Sequence, residues 1–315
     1  MKALVTGGAG FIGSHIAEAL AGQGAHVIVL DNLSLGSSAN LAWIQPSQTV
    51  EFVEGDCLDG ALVRRLIAGC DWVFHEGALP SVPRSVEAPL ESNRQNIDGT
   101  LGMLVAARDA GVKRFLFASS SSIYGDAEVP LKHEALPPLP LSPYALQKYA
   151  GERYCQLFHQ LYGLPTVALR YFNVFGPRQR ADSPYSGVIA KFCTAFLAGQ
   201  APVIHGDGRQ SRDFTYVANA VAANLAAAAA PATNVAGRVF NIACGDSVDL
   251  LQLVADLREL TGRELAPTFG PPRAGDVRHS RADLAAARAA FNFAPVVGWK
   301  EGLRRTLDWY RAGGV

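Results

Sequence analysis

The sequence has little of what marks a metal, thiol-redox or nucleic-acid protein. Only five of its 315 residues are cysteine, an odd number, scattered with no Cys-x-x-Cys pair. That argues against a disulfide framework and leaves buried free thiols in a reducing cytoplasm as the expectation. The seven histidines include no His-x-His or His-x-x-x-His pair, so no metal site is expected. There is no excess of either charge, with 28 Lys and Arg against 28 Asp and Glu. Such a chain has no long-range field to draw in nucleic acid or an anionic membrane. The longest apolar run, around Val221–Pro231, is mostly alanine and too short to span a bilayer, and it reads as a buried helix. No basic segment with a cleavage site precedes the first apolar stretch, so no secretory leader is expected.

What is present is an alternation. Short apolar segments at Lys2–Thr6, Ala25–Asp31, Val50–Glu54, Asp71–His75, Lys113–Ser119 and Thr166–Arg170 read as strands. Helical segments lie between them, the clearest at Phe11–Gln23, Pro89–Ala110 and Ser142–Tyr162. This predicts an α/β fold with a parallel, doubly wound Rossmann sheet. After Asn173 the chain is less regular and rich in Gly, Pro and Arg. Residues 1–172 are expected to form a nucleotide-binding domain, with strand and helix returns from the C-terminal half. Residues 173–315 would form mainly a smaller substrate-binding region that caps the sheet at its ligand-binding edge.

Thr6-Gly7-Gly8-Ala9-Gly10-Phe11-Ile12-Gly13 follows the first strand and opens the first helix. Gly7, Gly10 and Gly13 suit a tight turn, a close approach of backbone to a pyrophosphate, and close packing of helix on strand. The helix N-terminus then faces the anion. Asp31 ends the second strand 18 residues after Gly13, about where an acid meets the adenosine ribose hydroxyls. It would repel a ribose 2′-phosphate, so NAD is expected rather than NADP. Asp56 reads equally as an adenine contact and as the cap of a helix starting near Leu58.

Tyr144 and Lys148 stand four apart at the start of a helix and share a face. A tyrosine titrates near pH 10 and needs a nearby cation to act as a base near neutrality. Lys148 and an oxidised nicotinamide would both serve. Upstream, a strand ends in Ser119-Ser120-Ser121-Ser122-Ile123-Tyr124-Gly125. A hydroxyl there would share a proton with the phenol, although for any one of these four serines a polar turn residue is the better reading.

Together with Phe74-His75-Glu76-Gly77-Ala78, Asn96-Ile97-Asp98-Gly99-Thr100, Ser142-Pro143-Tyr144 and Arg170-Tyr171-Phe172-Asn173-Val174-Phe175-Gly176-Pro177, these motifs resemble the extended short-chain dehydrogenase/reductase family, in its order and over nearly the whole chain. Gly77 stands where alanine is usual. Within the family the sequence is most similar to nucleotide-sugar 4-epimerases, above all those acting on UDP-N-acetylhexosamines. The resemblance implies bound NAD and a UDP-sugar substrate, with Ser120, Tyr144 and Lys148 as the catalytic set. It assigns Phe11, Ile12, Asn32, Cys57, Ala78, Asn96 and Tyr171 to the cofactor, beside the glycines, Asp31 and Asp56. Where related dehydratases and decarboxylases carry acids, this chain has Ser121 and Ser122, which ranks those reactions below epimerisation.

By the same resemblance, the segments around Arg212 and Arg273 hold the diphosphate, since guanidinium meets phosphate bidentately. The alternative is that both arginines pair with surface carboxylates. Val203, Ile204 and His205 would bracket the uracil, and Asn173 would reach the first phosphate or the sugar. Ser81, Val188 and Asp276 are further expected substrate contacts. Ser280 stands where epimerases limited to plain hexoses look like tyrosine, leaving room for an acetamido group at C2 of the sugar. Acetylated substrates are therefore expected, with some activity on UDP-glucose and UDP-galactose. The family also implies a homodimer formed through the Pro89–Ala110 and Ser142–Tyr162 helices. A UDP-glucuronate 4-epimerase, a keto-sugar-nucleotide reductase and a non-catalytic NAD sensor are the rival readings.

Overall fold

Every apolar segment read as a strand enters one sheet. The computed structural model describes residues 1–182, 187–272 and 278–314. In the first half, β1 (Lys2–Thr6), α1 (Phe11–Gly22), β2 (His26–Asp31), β3 (Val50–Glu54), α2 (Gly60–Ile67), β4 (Trp72–His75), α3 (Val82–Glu87), α4 (Pro89–Asn93), α5 (Gly99–Asp109), β5 (Arg114–Ser120), α6 (Pro143–Tyr162) and β6 (Thr166–Tyr171) follow in order. The second half holds β7 (Val174–Phe175), α7 (Val188–Leu197), β8 (Val203–His205), β9 (Ser211–Arg212), β10 (Thr215–Tyr216), α8 (Val217–Ala229), α9 (Ala232–Val235), β11 (Arg238–Ile242), β12 (Val248–Asp249), α10 (Leu250–Thr261), β13 (Thr268–Gly270), β14 (His279–Ser280), α11 (Ala285–Phe291) and α12 (Trp299–Arg311).

The main sheet has seven parallel strands in the order β11-β6-β5-β4-β1-β2-β3. The order reverses beside β1, and the C-terminal strand ends there open the crevice where such sheets take ligands. Central strands are buried on both faces, as the unbroken apolar run of β2 requires. At the edge, β3 turns Glu51 and Glu54 to solvent, charges that discourage pairing with another chain.

One face of the sheet packs against α1, α8 and α11, and the other against α2, α5 and α6. The alanine run forms α8, with Ala220, Ala223 and Ala227 fully buried on the first of these faces. A third apolar cluster joins α7, α10 and α12 beyond the strand ends. No helix among the described residues is long and apolar enough to cross a membrane.

Pro89–Ala110 is not one uniform helix. A wider π-type turn at Arg94–Asp98 separates α4 from α5. The side chain of Asn96 in that turn is buried and holds the loop after β4. Its Oδ1 accepts from Leu79 N at 2.8 Å, and its Nδ2 donates to Gln147 Oε1 at 2.8 Å.

Helix α6 is fixed to the sheet by a buried ion pair. Glu152 accepts two hydrogen bonds from Arg170, both 2.8 Å, and a third from Ser119 Oγ at 2.5 Å. Both side chains are at most 5% exposed. The guanidinium also lies 4.8 Å over the Tyr124 ring, whose hydroxyl donates to Asn241 of β11. Removing one partner strands the other charge. Glu152→Ala should therefore cost about 3–5 kcal/mol in denaturant unfolding. A loss below about 1 kcal/mol, the range of exposed pairs, would contradict this role.

Candidate active site

A cavity of about 1200 Å³ opens along the C-terminal strand ends, large enough for a dinucleotide with a second ligand. Its floor is the glycine loop. Gly7 has φ +63°, and a Cβ there would stand 2.7 Å from Gly77 N. A Cβ on Gly13 would run into the Gly7 carbonyl. Gly10 caps α1 with no side-chain bond, so the N–H groups of the first turn face the cavity for an anion.

Asp31 lines the cavity and braces this loop at once. Its Oδ2 accepts from Ala9 N at 3.0 Å and its Oδ1 from Leu33 N at 2.8 Å. Asn32 donates to Asp56 at 2.9 Å, and both line the same end with Cys57. The cap of α2 is Asp59, whose Oδ1 accepts from Ala61 N and Leu62 N. Asp56 instead accepts from Leu58 N one turn earlier. Phe11, Ile12, Ala78 and Tyr171 also line this cavity. Asn96 does not, because its amide is spent on Leu79 and Gln147 beneath the wall.

The reactive corner forms where β5 and α6 meet. Ser142 Oγ accepts from Ala145 N and, with Pro143 in the first turn, starts α6. Tyr144 and Lys148 then face the cavity across from Ser120. Ser120 Oγ is hydrogen-bonded to the Tyr144 phenol and accepts from Ser122 Oγ at 2.9 Å. Lys148 Nζ donates to Ala118 O at 2.7 Å and lies 6.0 Å from the Tyr144 ring centre. Burial pushes the phenol up to about 12, with the Ser120 bond pulling it down and the Glu76 carboxylate pushing it up. Burial pulls the Lys148 ammonium down to about 8, and Glu76 opposes that. The protein alone therefore keeps Tyr144 a neutral phenol near pH 7, and a further positive charge is needed to make it a base.

Asn173 lines both this cavity and a smaller one of about 260 Å³. It has φ +38°, a left-handed conformation that asparagine tolerates better than most residues. Its Nδ2 donates to Asp213 O at 3.2 Å. Val188, Val203 and His205 line the smaller cavity with Phe192 and Phe214. Ile204 does not, since strand side chains alternate and its own is fully buried in the third apolar cluster. Arg212 lines both cavities, and Ser280 pairs with it in register across β9 and β14. Below them the buried Asp213 carboxylate accepts from Cys244 N, Gly245 N and Ala282 N, tying three segments together. Ser81, Ser121 and Ser122 line the larger cavity. Arg273 and Asp276 lie outside the described residues.

Several wall residues escaped the sequence reading, among them Arg178, Lys132 and Glu76. Arg178, at φ +67°, pairs with Glu18 of α1 at 2.5 Å, and its signal was the arginine-rich Gly-Pro-Arg-Gln-Arg that continues the quoted motif. Lys132 enters from the loop after Tyr124 and had no sequence signal. Glu76 directly follows β4, inside a motif whose reading assigned it no role of its own. Among the described residues, no cluster of His, Cys, Asp and Glu could hold a metal.

Comparison with known proteins decides the family. The model of the NAD dependent epimerase/dehydratase family matches residues 3–243. The chain belongs to this family. This epimerase/dehydratase-family chain is 38% identical over 313 residues to a UDP-glucose 4-epimerase from Mycolicibacterium smegmatis, covering 99% of each. Among solved structures it resembles a UDP-N-acetylglucosamine 4-epimerase from Methanobrevibacter ruminantium in complex with UDP-N-acetylmuramic acid. There the identity is 41%, the TM-score 0.93, and the coverage 99% of this chain and 98% of that one. It also resembles a UDP-glucuronic acid 4-epimerase from Bacillus cereus in complex with UDP-glucuronic acid and NAD, at 31% identity, TM-score 0.91 and 99% coverage of both.

The cofactor is NAD, and the glycine cradle, the uncapped start of α1 and Asp31 fit it. Gly7→Ala introduces left-handed strain and a clash with Gly77. It should weaken NAD retention by roughly ten- to a hundredfold. The measurement is nucleotide released on denaturing the purified protein, and a wild-type content would contradict the assignment.

Proposed function

We propose that the chain interconverts the C4 epimers of a UDP-sugar, with N-acetylated hexosamines accepted and UDP-glucose and UDP-galactose as further substrates. The observation that carries this is the corner of Ser120, Tyr144 and Lys148, continuous with a wall of Arg212 and Ser280 in one cavity. NAD, when bound, supplies a reversible acceptor for the hydride on C4 of the sugar. Tyr144 takes the proton from the sugar 4-hydroxyl, with Ser120 bridging, and later returns it. Lys148 supports the phenolate and the cofactor ribose. Arg212 holds the diphosphate and the smaller cavity holds the uracil, so the nucleotide is fixed while the sugar turns over between the two hydride transfers. Hydroxyls at Ser121 and Ser122 give no acid at those positions to expel water.

Likeness to the Bacillus cereus enzyme supports UDP-glucuronate as a second reading. It ranks lower because Arg180, a cation on the cavity wall, is already held by Asp182 at 2.7 and 3.0 Å. We also propose a cytoplasmic homodimer. Five free thiols suit a reducing compartment. Val86, Leu90, Leu146 and Leu161 are each more than half exposed on α3, α4 and α6, an apolar face a second copy would cover.

Purified protein given UDP-N-acetylglucosamine without added NAD should form the galacto epimer. Tyr144→Phe should lower turnover by about 10²–10⁴-fold while leaving UDP-sugar affinity near wild type. Substantial residual turnover would remove Tyr144 from the role. Ser280→Tyr should cut kcat/KM for the acetylated sugar by roughly 10–200-fold and spare UDP-glucose. Equal losses on both would reject the pocket-size account.

A further inference from the structure

Glu76 is a carboxyl group on the cavity wall beside the reactive corner, and the mechanism above gives it no task. It is half-buried directly after β4, with its backbone N bonded to Thr6 O at 3.2 Å beside the glycine loop. Its Oε1 accepts from the Tyr171 hydroxyl of β6 at 2.8 Å. That hydroxyl accepts in turn from Asn224 Nδ2 of α8 at 2.6 Å, and Asn224 is fully buried. Three elements thus hold one carboxylate in one orientation, facing the cavity shared by Tyr144 and Lys148.

The surroundings decide what that charge acts on. On β4, His75 is buried between Thr6 and Thr100, and burial pulls it down to about 3, so it stays neutral. Cys57, near Gly77, is pushed up to about 12 by burial and is a neutral thiol. On β6, Tyr171 is pushed well above its ordinary range by burial and remains a donor. Further along α6, Glu152 is neutralised by Arg170. Burial pushes the Glu76 carboxyl itself up to about 7, with the Tyr171 hydrogen bond and the Lys148 ammonium pulling it down, so it is ionised only in part at neutral pH. The Lys148 Nζ donates to the Ala118 carbonyl at 2.7 Å and lies 4.9 Å from the Phe117 ring centre, both neutral groups. A buried ammonium with such neutral partners tends to lose its proton unless a negative charge stands nearby.

We propose that Glu76 is a positioning residue of the proton relay, a counter-charge that, once ionised, keeps Lys148 an ammonium and raises the pH at which Tyr144 loses its proton. The Tyr171 and Asn224 hydrogen bonds hold the carboxylate where it acts on both groups. The sign follows from the charges. A carboxylate favours the Lys148 cation and disfavours the Tyr144 anion, so its removal lowers the proton affinity of both. This rests on the proposed acid–base role of Tyr144.

The test compares wild type with Glu76→Gln and Glu76→Asp as NAD-bound proteins. In Glu76→Gln, the alkaline limb of the pH profile of kcat should move to lower pH by about one unit, tenfold in proton affinity, and the acid limb by less, because Glu76 is only partly ionised there. Glu76→Asp should keep them near wild type. Tyrosinate absorbance, taken as the difference from Tyr144→Phe, should show the same downward shift without any substrate. If Glu76→Gln does not fold, Tyr171→Phe replaces it, with a smaller shift in the same direction. Unmoved limbs and an unmoved tyrosinate midpoint, whatever the activity, would overturn the proposal. A shifted midpoint in a protein that turns over no UDP-sugar would sustain Glu76 and reject the epimerase reading instead.

Discussion

The active corner depends on one buried ion pair. Glu152 lies one turn beyond Lys148 on α6, and Arg170 stands on β6 beside the strand that carries Ser120. Their bidentate contact, joined by Ser119, fixes how far α6 slides along the sheet. That register decides whether the Tyr144 phenol meets Ser120 or misses it. Two charges out of water tolerate little displacement, because each ångström of separation forfeits Coulomb energy that solvent does not replace. The same guanidinium covers the Tyr124 ring, and so anchors the serine turn from its far side.

Around that anchor the charges are few and placed by chain segments far apart in sequence. The C-terminal half does more than cap the site. It returns α8 and β11 to the sheet, and Asn224 and Asn241 on them hold Tyr171 and Tyr124. Burial raises the cost of every charge in the corner. Lys148 is weakened as an ammonium and Tyr144 is kept neutral until a cation stands beside it. This suits a reaction in which the base is wanted only with an oxidised nicotinamide in place.

Six strands of the parallel sheet were legible because they are short apolar runs, a pattern set by local burial, while β11, which returns from the C-terminal half, was not read from the sequence. Gly7, Gly13, Tyr144 and Lys148 were legible because their spacing along one turn or one helix fixes their geometry, and Asp31 because it ends the strand beside that turn. What escaped was set by distant partners. The π-type turn carries Asn96, whose partner lies in a loop 17 residues earlier. Asp59 rather than Asp56 caps α2, a choice between two acids three residues apart. Ile204 sits in a segment whose neighbours line a cavity, but strand alternation turns it into the core. Glu76 acquires its surroundings only when β4, β6, α6 and α8 come together.

The account stands or falls on one reversible hydride transfer at a sugar carbon within a closed site. Incubation of the purified protein with UDP-N-acetylglucosamine carrying deuterium at C4, in ordinary water, tests it most directly. The account predicts a C4 epimer that keeps the deuterium at C4, because the hydride leaves and returns without meeting solvent. An epimer that has lost the label, or no epimer at all, would contradict it.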